Sequence, residues 1–139
     1  MRLNARQQAL LEELELCHDP QERLAAIVDR ARRRPPLSRA ERTPERLVPG
    51  CSSSVWLVSE FRDDCRCYFR ADADSPVVRG LVNVLADFYS GALAAEIAAS
   101  DADPLATLDL LRTLSPTRQR GLAAVRAAIT SFARAHLAS

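Results

Sequence analysis

The chain contains no lysine; all 19 of its basic residues are arginine. Three kinds of chemistry fall with that absence. No lysine is available to hold pyridoxal as a Schiff base, to reach the phosphates of a phosphate-binding loop, or to act as a general base. Any pyridoxal chemistry connected with this chain must therefore belong to another protein. Glycine is scarce too, with four residues and none clustered, which excludes a glycine-rich phosphate cradle. No stretch approaches the roughly 18 consecutive apolar residues of a membrane span. The opening Met1-Arg2-Leu3-Asn4-Ala5-Arg6-Gln7-Gln8 lacks the apolar centre of a secretion signal. Charge of one sign is missing in bulk: the net charge is +1, which leaves no electrostatic case for nucleic acid or an anionic membrane as partner.

What is present describes an ordinary globular protein. With 139 residues, 47% hydrophobic and 27% charged, the chain is expected to form one domain over residues 1–139, large enough to bury a core. Its four cysteines (17, 51, 65 and 67) are irregularly placed and do not form a disulfide framework. Free thiols in a reducing cytoplasm are the corresponding expectation.

Helical spacing is clear at the start, where Leu3, Leu10, Leu14 and Cys17 recur on one face. Asp19-Pro20-Gln21-Glu22 opens a second helix with a cap, a proline in the first turn and a glutamate three residues after the cap. That helix places Leu24, Ile27, Val28 and Ala31 on one face and ends at Arg32-Arg33-Arg34, a solvated cationic end favoured by the helix dipole. Residues 35–46 are a polar, proline-containing connection, and Arg46-Leu47-Val48 reads as a short edge strand. Val55–Val58 with Phe61, a turn at Asp63-Asp64 and a strand over 65–70 form an antiparallel hairpin, with Cys65, Cys67 and Phe69 on one face. Asp74-Ser75-Pro76 opens a helix through Tyr89 that is apolar nearly all round, hence central and buried. A short alanine-rich helix follows to about Ser100, another runs from Asp103-Pro104 through Leu105, Leu108 and Leu111, and Ser115-Pro116 starts the last and longest, with the stripe Leu122, Val125, Ile129, Phe132 and His136. The predicted fold class is α+β, a small antiparallel sheet of two or three strands packed against helices.

Cys51 is the residue with a claim to chemistry. It follows Pro49-Gly50 and leads directly into the first strand, so a stiff approach and a permissive glycine hold it at a loop tip. Two readings stand: a small buried hydrophobe, or a nucleophile acting as its thiolate. Arg118 falls four residues before Leu122, on the stripe of the last helix and in its first turn. A cation there opposes the helix dipole by up to about 1 kcal/mol. Either an anion at Cys51, helped by the free N–H groups of that turn, or a structural bridge to Asp72 or Asp74 would compensate it. Cys65 and Cys67 form a C-x-C that either faces the core beside Phe69 or contributes to a metal site with ligands drawn from Cys17, His18, Cys51 and His136. Neither histidine has the company of a Cys–His dyad. The paired acidic residues Asp63-Asp64, Asp72/Asp74 and Asp101/Asp103 fall where turns and caps want them.

Three segments, taken together, resemble the SufE family of sulfur acceptors, including its CsdE branch. Gly50-Cys51-Ser52-Ser53-Ser54-Val55-Trp56 is similar to the family's G-C-x-S-x-V-W around its acceptor cysteine. Asp72-Ala73-Asp74-Ser75-Pro76-Val77-Val78-Arg79-Gly80-Leu81 is similar to the D-x-D/N stretch leading into the central helix, and Leu114-Ser115-Pro116-Thr117-Arg118-Gln119-Arg120-Gly121-Leu122 to L-S/T-P-S/T-R-x-x-G-L. The three occur in the family's order, and the likeness spans nearly the whole chain. Two departures stand out: Ser52 where a larger polar residue such as glutamine is frequent, and the additional Cys65 and Cys67.

The resemblance implies a fold shared with IscU-type scaffolds and an accessory sulfur-transfer role beside a cysteine desulfurase of the SufS/CsdA kind. The pyridoxal phosphate (PLP) belongs to that partner, and no cofactor or metal is implied for this chain. Cys51 would accept sulfane sulfur as a persulfide, with Arg118 and Asp74 as supporting residues. The sulfur would pass to an iron–sulfur scaffold or another recipient, with neither nucleic acid nor membrane involved. Transpersulfidation is thiol exchange and asks for an accessible thiolate, a neighbouring positive field and protection from oxidation. The apolar Val55-Trp56 neighbourhood adds the expectation that Cys51 tucks inward at rest and swings out on binding the desulfurase. The rival readings are an iron–sulfur or zinc scaffold using Cys51, Cys65 and Cys67, and a regulatory partner of a desulfurase that takes no sulfur.

Overall fold

Proline placed just after a capping side chain starts most of the helices. In the computed structural model, which describes residues 3–137, Asp19 accepts from the Gln21 N–H at 3.1 Å to open helix α2 (Pro20–Arg32), and Ser75, Asp103 and Ser115 likewise cap α3 (Pro76–Tyr89), α5 (Pro104–Thr107) and α6 (Pro116–Ala135). Such a cap satisfies an N–H that the helix itself leaves free, while proline has none to lose. The first helix, α1 (Ala5–Glu15), has a full capping box between Asn4 and Gln7. Met1 and Arg2, part of the segment read for a secretion signal, lie outside the described residues. Among the described residues no helix is long and apolar enough to cross a membrane.

The sheet is antiparallel with strand order β1 (Val55–Phe61), β2 (Arg66–Ala73), β3 (Ala92–Leu93). Val55 pairs with Ala73, Leu57 with Ala71, Ser59 with Phe69 and Phe61 with Cys67. The buried members of this face, Val55, Leu57, Cys67, Phe69, Ala71 and Ala73, turn to the core, with β2 packed on α3 and β1 against α6. Helix α3 is the core: Leu81, Val82, Val84 and Leu85 are wholly buried, as its all-round apolarity predicts. Helix α2 and the sheet cover it, and α6 closes the remaining side with Leu122, Val125, Ile129 and Ala133, packing also on α4 (Ala94–Ala99).

The α+β class and every long helix agree with the sequence reading; four local features differ. The third strand is not at 46–48, where a single 3₁₀ turn (Pro44–Arg46) leads into one isolated bridge, Leu47 with Trp56. It is Ala92–Leu93, reached because Gly91 turns the chain at φ +85° after α3 and donates its N–H to Cys67 O at 2.8 Å. Helix α5 is one turn long, since Asp109 is left-handed at φ +58°. Cys65 is not on the core face: it is exposed, at φ +65° in the hairpin turn, while Cys67 is buried beside Phe69. Finally, the arginine-rich end of α2 is not wholly solvated. Arg34, with Arg30 at 2.6 Å, pairs with Asp87 on α3 and fastens the two helices together.

Gly80 lies where α3 packs closely on α2. A Cβ there would stand 3.1 Å from Val28 Cα and 3.2 Å from Val28 N, against backbone that cannot step aside. Gly80→Ala is therefore expected to lower stability by about 1–3 kcal/mol, the usual range for overpacking. Urea titration checks this as a shifted midpoint with an unchanged slope.

The candidate functional site at Cys51

Cys51 sits where three elements converge. Its own loop runs over Gly50, at φ +91°, and enters β1 at Val55. The base of that loop is fastened to the strand end by Asp74, whose backbone N–H donates to Ser54 O at 3.2 Å. The thiol points at the second turn of α6 and donates to the Gly121 carbonyl, with Sγ 3.3 Å from the oxygen. Cys51 Sγ and Ser52, Ser53 and Val55 line one side of a small cleft. Val78 and Val82 of α3 form its floor, and Thr117, Arg118, Gly121, Leu122 and Val125 of α6 its other side. The cavity volume is about 10 Å³, room for about one water-sized atom.

This environment stabilises the thiol rather than the thiolate. Cys51 is half-buried, and burial raises its pKa above the ordinary value, because the charged form loses its hydration. The bond to Gly121 O also requires the proton. A thiol in that state reacts slowly, since the thiolate is the nucleophile. Alkylation of Cys51 in the isolated protein is therefore expected to be slower at neutral pH than that of a free cysteine model, with its rise displaced to higher pH. An equal rate at matched pH would contradict the inward placement.

Of the two residues expected to support Cys51, the structure brings Arg118 to the cleft but not Asp74. Arg118 precedes Leu122 and Val125 on the helix as its spacing predicts, yet residues 115–118 are all exposed, and Arg118 lines the cleft from its solvent side. Among the described residues it bridges neither Asp72 nor Asp74. Asp74 is exposed and serves the loop through its backbone. The first turn of α6 also offers fewer free N–H groups than expected, since Pro116 has none and Ser115 Oγ takes that of Arg118 at 3.2 Å.

Asp72 is not a cap or turn residue but the most buried carboxylate of the chain's motifs, 1% exposed. Its Oδ2 accepts from the Leu37 N–H at 3.0 Å and from Arg42 at 2.6 Å. Arg79 Nε lies 2.8 Å from Oδ1, close enough for an ion pair although the N–H does not aim at the oxygen. Burial raises the Asp72 pKa, but the hydrogen bonds from Arg42, Ala73 and Leu37 outweigh it, so the net shift is downward. Arg42 also lies over the Trp56 ring, 5.2 Å from its centroid. The polar connection 35–46 is thereby clasped to the strand ends beneath the Cys51 loop.

The residue that sequence reasoning missed is Gly121. An isolated glycine within a helix destabilises it by about 0.5–1 kcal/mol relative to alanine, and that local anomaly was the available signal.

Among the described residues, the lining of the cleft includes no histidine, aspartate or glutamate. His136 is at the far end of α6, stacked on Phe61 with centroids 4.5 Å apart, and His18 is exposed between α1 and α2. Among the described residues no three of His, Cys, Asp and Glu gather as a metal site, so Cys51, Cys65 and Cys67 do not form the ligand set of the scaffold reading. Cys67 is wholly buried, with its thiol pKa pushed up by burial.

Comparison with known proteins agrees with this geometry. The model of the SufE family, described as an Fe-S metabolism associated domain, matches residues 8–133. An uncharacterized SufE-like protein of Rhizobium etli is 35% identical over 117 residues, covering 81% of this chain and 79% of the relative. The solution structure of a hypothetical protein from Thermus thermophilus has the same fold, with a TM-score of 0.77 over 99% of this chain and 100% of that one, at 16% identity. A cysteine loop and an R-x-x-G-L helix start, far apart in sequence, thus meet at one cleft in a chain that belongs to the SufE family, with a role in iron–sulfur metabolism.

Proposed function

We propose that this chain is a sulfur acceptor and activator for a PLP-dependent cysteine desulfurase of the SufS/CsdA kind, and that Cys51 carries the sulfur as a persulfide toward iron–sulfur cluster assembly. The observation that supports this most is the state of Cys51: a lone thiol, held protonated against Gly121 O, beside an apolar cleft with room for one more atom. A carrier needs that shelter, whereas a stand-alone thiol enzyme needs a general base in reach.

The reaction is an exchange. Cys51 thiolate attacks the outer sulfur of the donor persulfide, a new S–S bond forms, the donor's S–S bond breaks, and its electron pair leaves with the donor thiolate. No net oxidation or reduction occurs. Because the resting thiol is inward and protonated, the loop must first swing outward, where solvation removes the burial penalty and raises the share of thiolate toward that of an ordinary cysteine. Arg118 at the cleft mouth supplies positive potential to the anionic donor and product. Asp74 supports the loop through the Ser54 hydrogen bond rather than by touching sulfur.

The test is turnover of a SufS/CsdA-type desulfurase with cysteine, followed as alanine formation. Addition of this chain is expected to raise the rate; an unchanged rate across the tested desulfurases would refute the acceptor role.

A further inference from the structure

Three of the four glycines have a backbone or packing reason to be glycine. Gly50 and Gly91 have φ of +91° and +85°, and a Cβ on Gly80 would strike the Val28 backbone. Gly121 has neither reason. It lies inside α6, and a Cβ there would meet only Cys51, 3.5 Å from Sγ and 3.6 Å from Cα, which is ordinary contact. The helix and the resting thiol would both tolerate alanine. What alanine would take up is free space beside Sγ, of which the cleft holds only about 10 Å³, room for about one small atom.

We propose that Gly121 fixes the sheltered cargo of Cys51 at one sulfane sulfur. A persulfide adds one atom about 2.05 Å from Sγ, and the cleft among Val78, Val82, Leu122 and Val125 holds one such atom. A second sulfur extends past the mouth into solvent, where a small thiol can attack it. Gly121 is thus a specificity-determining residue for a persulfide over a polysulfide chain, acting through absence of a side chain. This rests on Cys51 being the sulfur carrier, so the test loads the protein without any desulfurase.

Inorganic polysulfide is the probe: the Cys51 thiolate takes one sulfur from the chain, and the polysulfide leaves one atom shorter with its charge unchanged. Adducts on Cys51 are followed by peptide mass mapping during exposure to dithiothreitol. In the wild type, a single added sulfur is expected to persist and longer adducts to be trimmed to it. In Gly121→Ala, that last sulfur is expected to be lost at least tenfold faster, while the melting temperature is no lower and alkylation of the unloaded thiol is unchanged. Equal lifetimes in the two proteins would overturn the proposal. So would a parallel rise in alkylation of unloaded Gly121→Ala, since alanine would then merely have displaced the loop. Should that variant not fold, Val78→Ala decides: the widened cleft is expected to retain two sulfurs, and retention of only one overturns the proposal. A desulfurase that fails to load a wild-type protein which polysulfide loads normally would count against the proposed function alone.

Discussion

Replacing Cys51 by serine is expected to abolish sulfur acceptance and to return desulfurase turnover to the rate of the desulfurase alone. The serine hydroxyl can keep the bond to Gly121 O, and the cost in stability is expected to be about 1 kcal/mol, as for an ordinary point substitution. The chemistry, however, is lost entirely, because an alcohol forms no persulfide and is not ionised at neutral pH. A variant that folds like the wild type and yet transfers nothing separates carriage from mere binding. A variant that still stimulates turnover fully would favour the regulatory reading, in which the chain reshapes its partner without taking sulfur. Cys65→Ser and Cys67→Ser are expected to leave stimulation intact, since neither lines the cleft.

The second large effect falls on stability. Asp72→Asn is expected to destabilise the fold by about 3 kcal/mol, toward the lower end for breaking a buried ion pair because Arg42 retains partial solvent access. Asparagine can still accept from the Leu37 N–H, but Arg79, with little exposure, loses its counter-charge. The pH dependence has a definite sign. Asp72 has a folded-state pKa below its unfolded value, so its contribution is fully present above the unfolded value of about 3.9 and is lost as pH falls through the folded one. Wild-type stability should therefore fall on acidification through that window more steeply than that of Asp72→Asn. Urea unfolding at pH 7 and at successively lower pH measures both; parallel curves would show that the carboxylate's charge is not what holds the 35–46 segment.

Much of this architecture was legible because its signals are local. Caps followed by proline mark where α2, α3, α5 and α6 begin, and an all-round apolar helix such as α3 can only be central. Cys51 was legible as a candidate because Gly50 and the following strand present it. Features set by tertiary contact were not. Strand β3 is two residues long and exists because Gly91 brings it beside Cys67, a pairing with no periodicity of its own. Cys65 follows the alternation of a strand on paper, but the turn takes it into the left-handed region. Asp72 looks like any acidic residue near a helix start; only the crossing of residues 35–46 over the strand ends buries it. Gly121 was visible as an anomaly whose meaning required knowing that Cys51 lies against it.

The claim that Cys51 carries the sulfur is tested most directly by mass spectrometry of the protein after incubation with a desulfurase and cysteine. The account predicts one added sulfur atom on the peptide containing Cys51, removed by reductant once the protein is unfolded. Sulfur found only on Cys65 or Cys67 would contradict it.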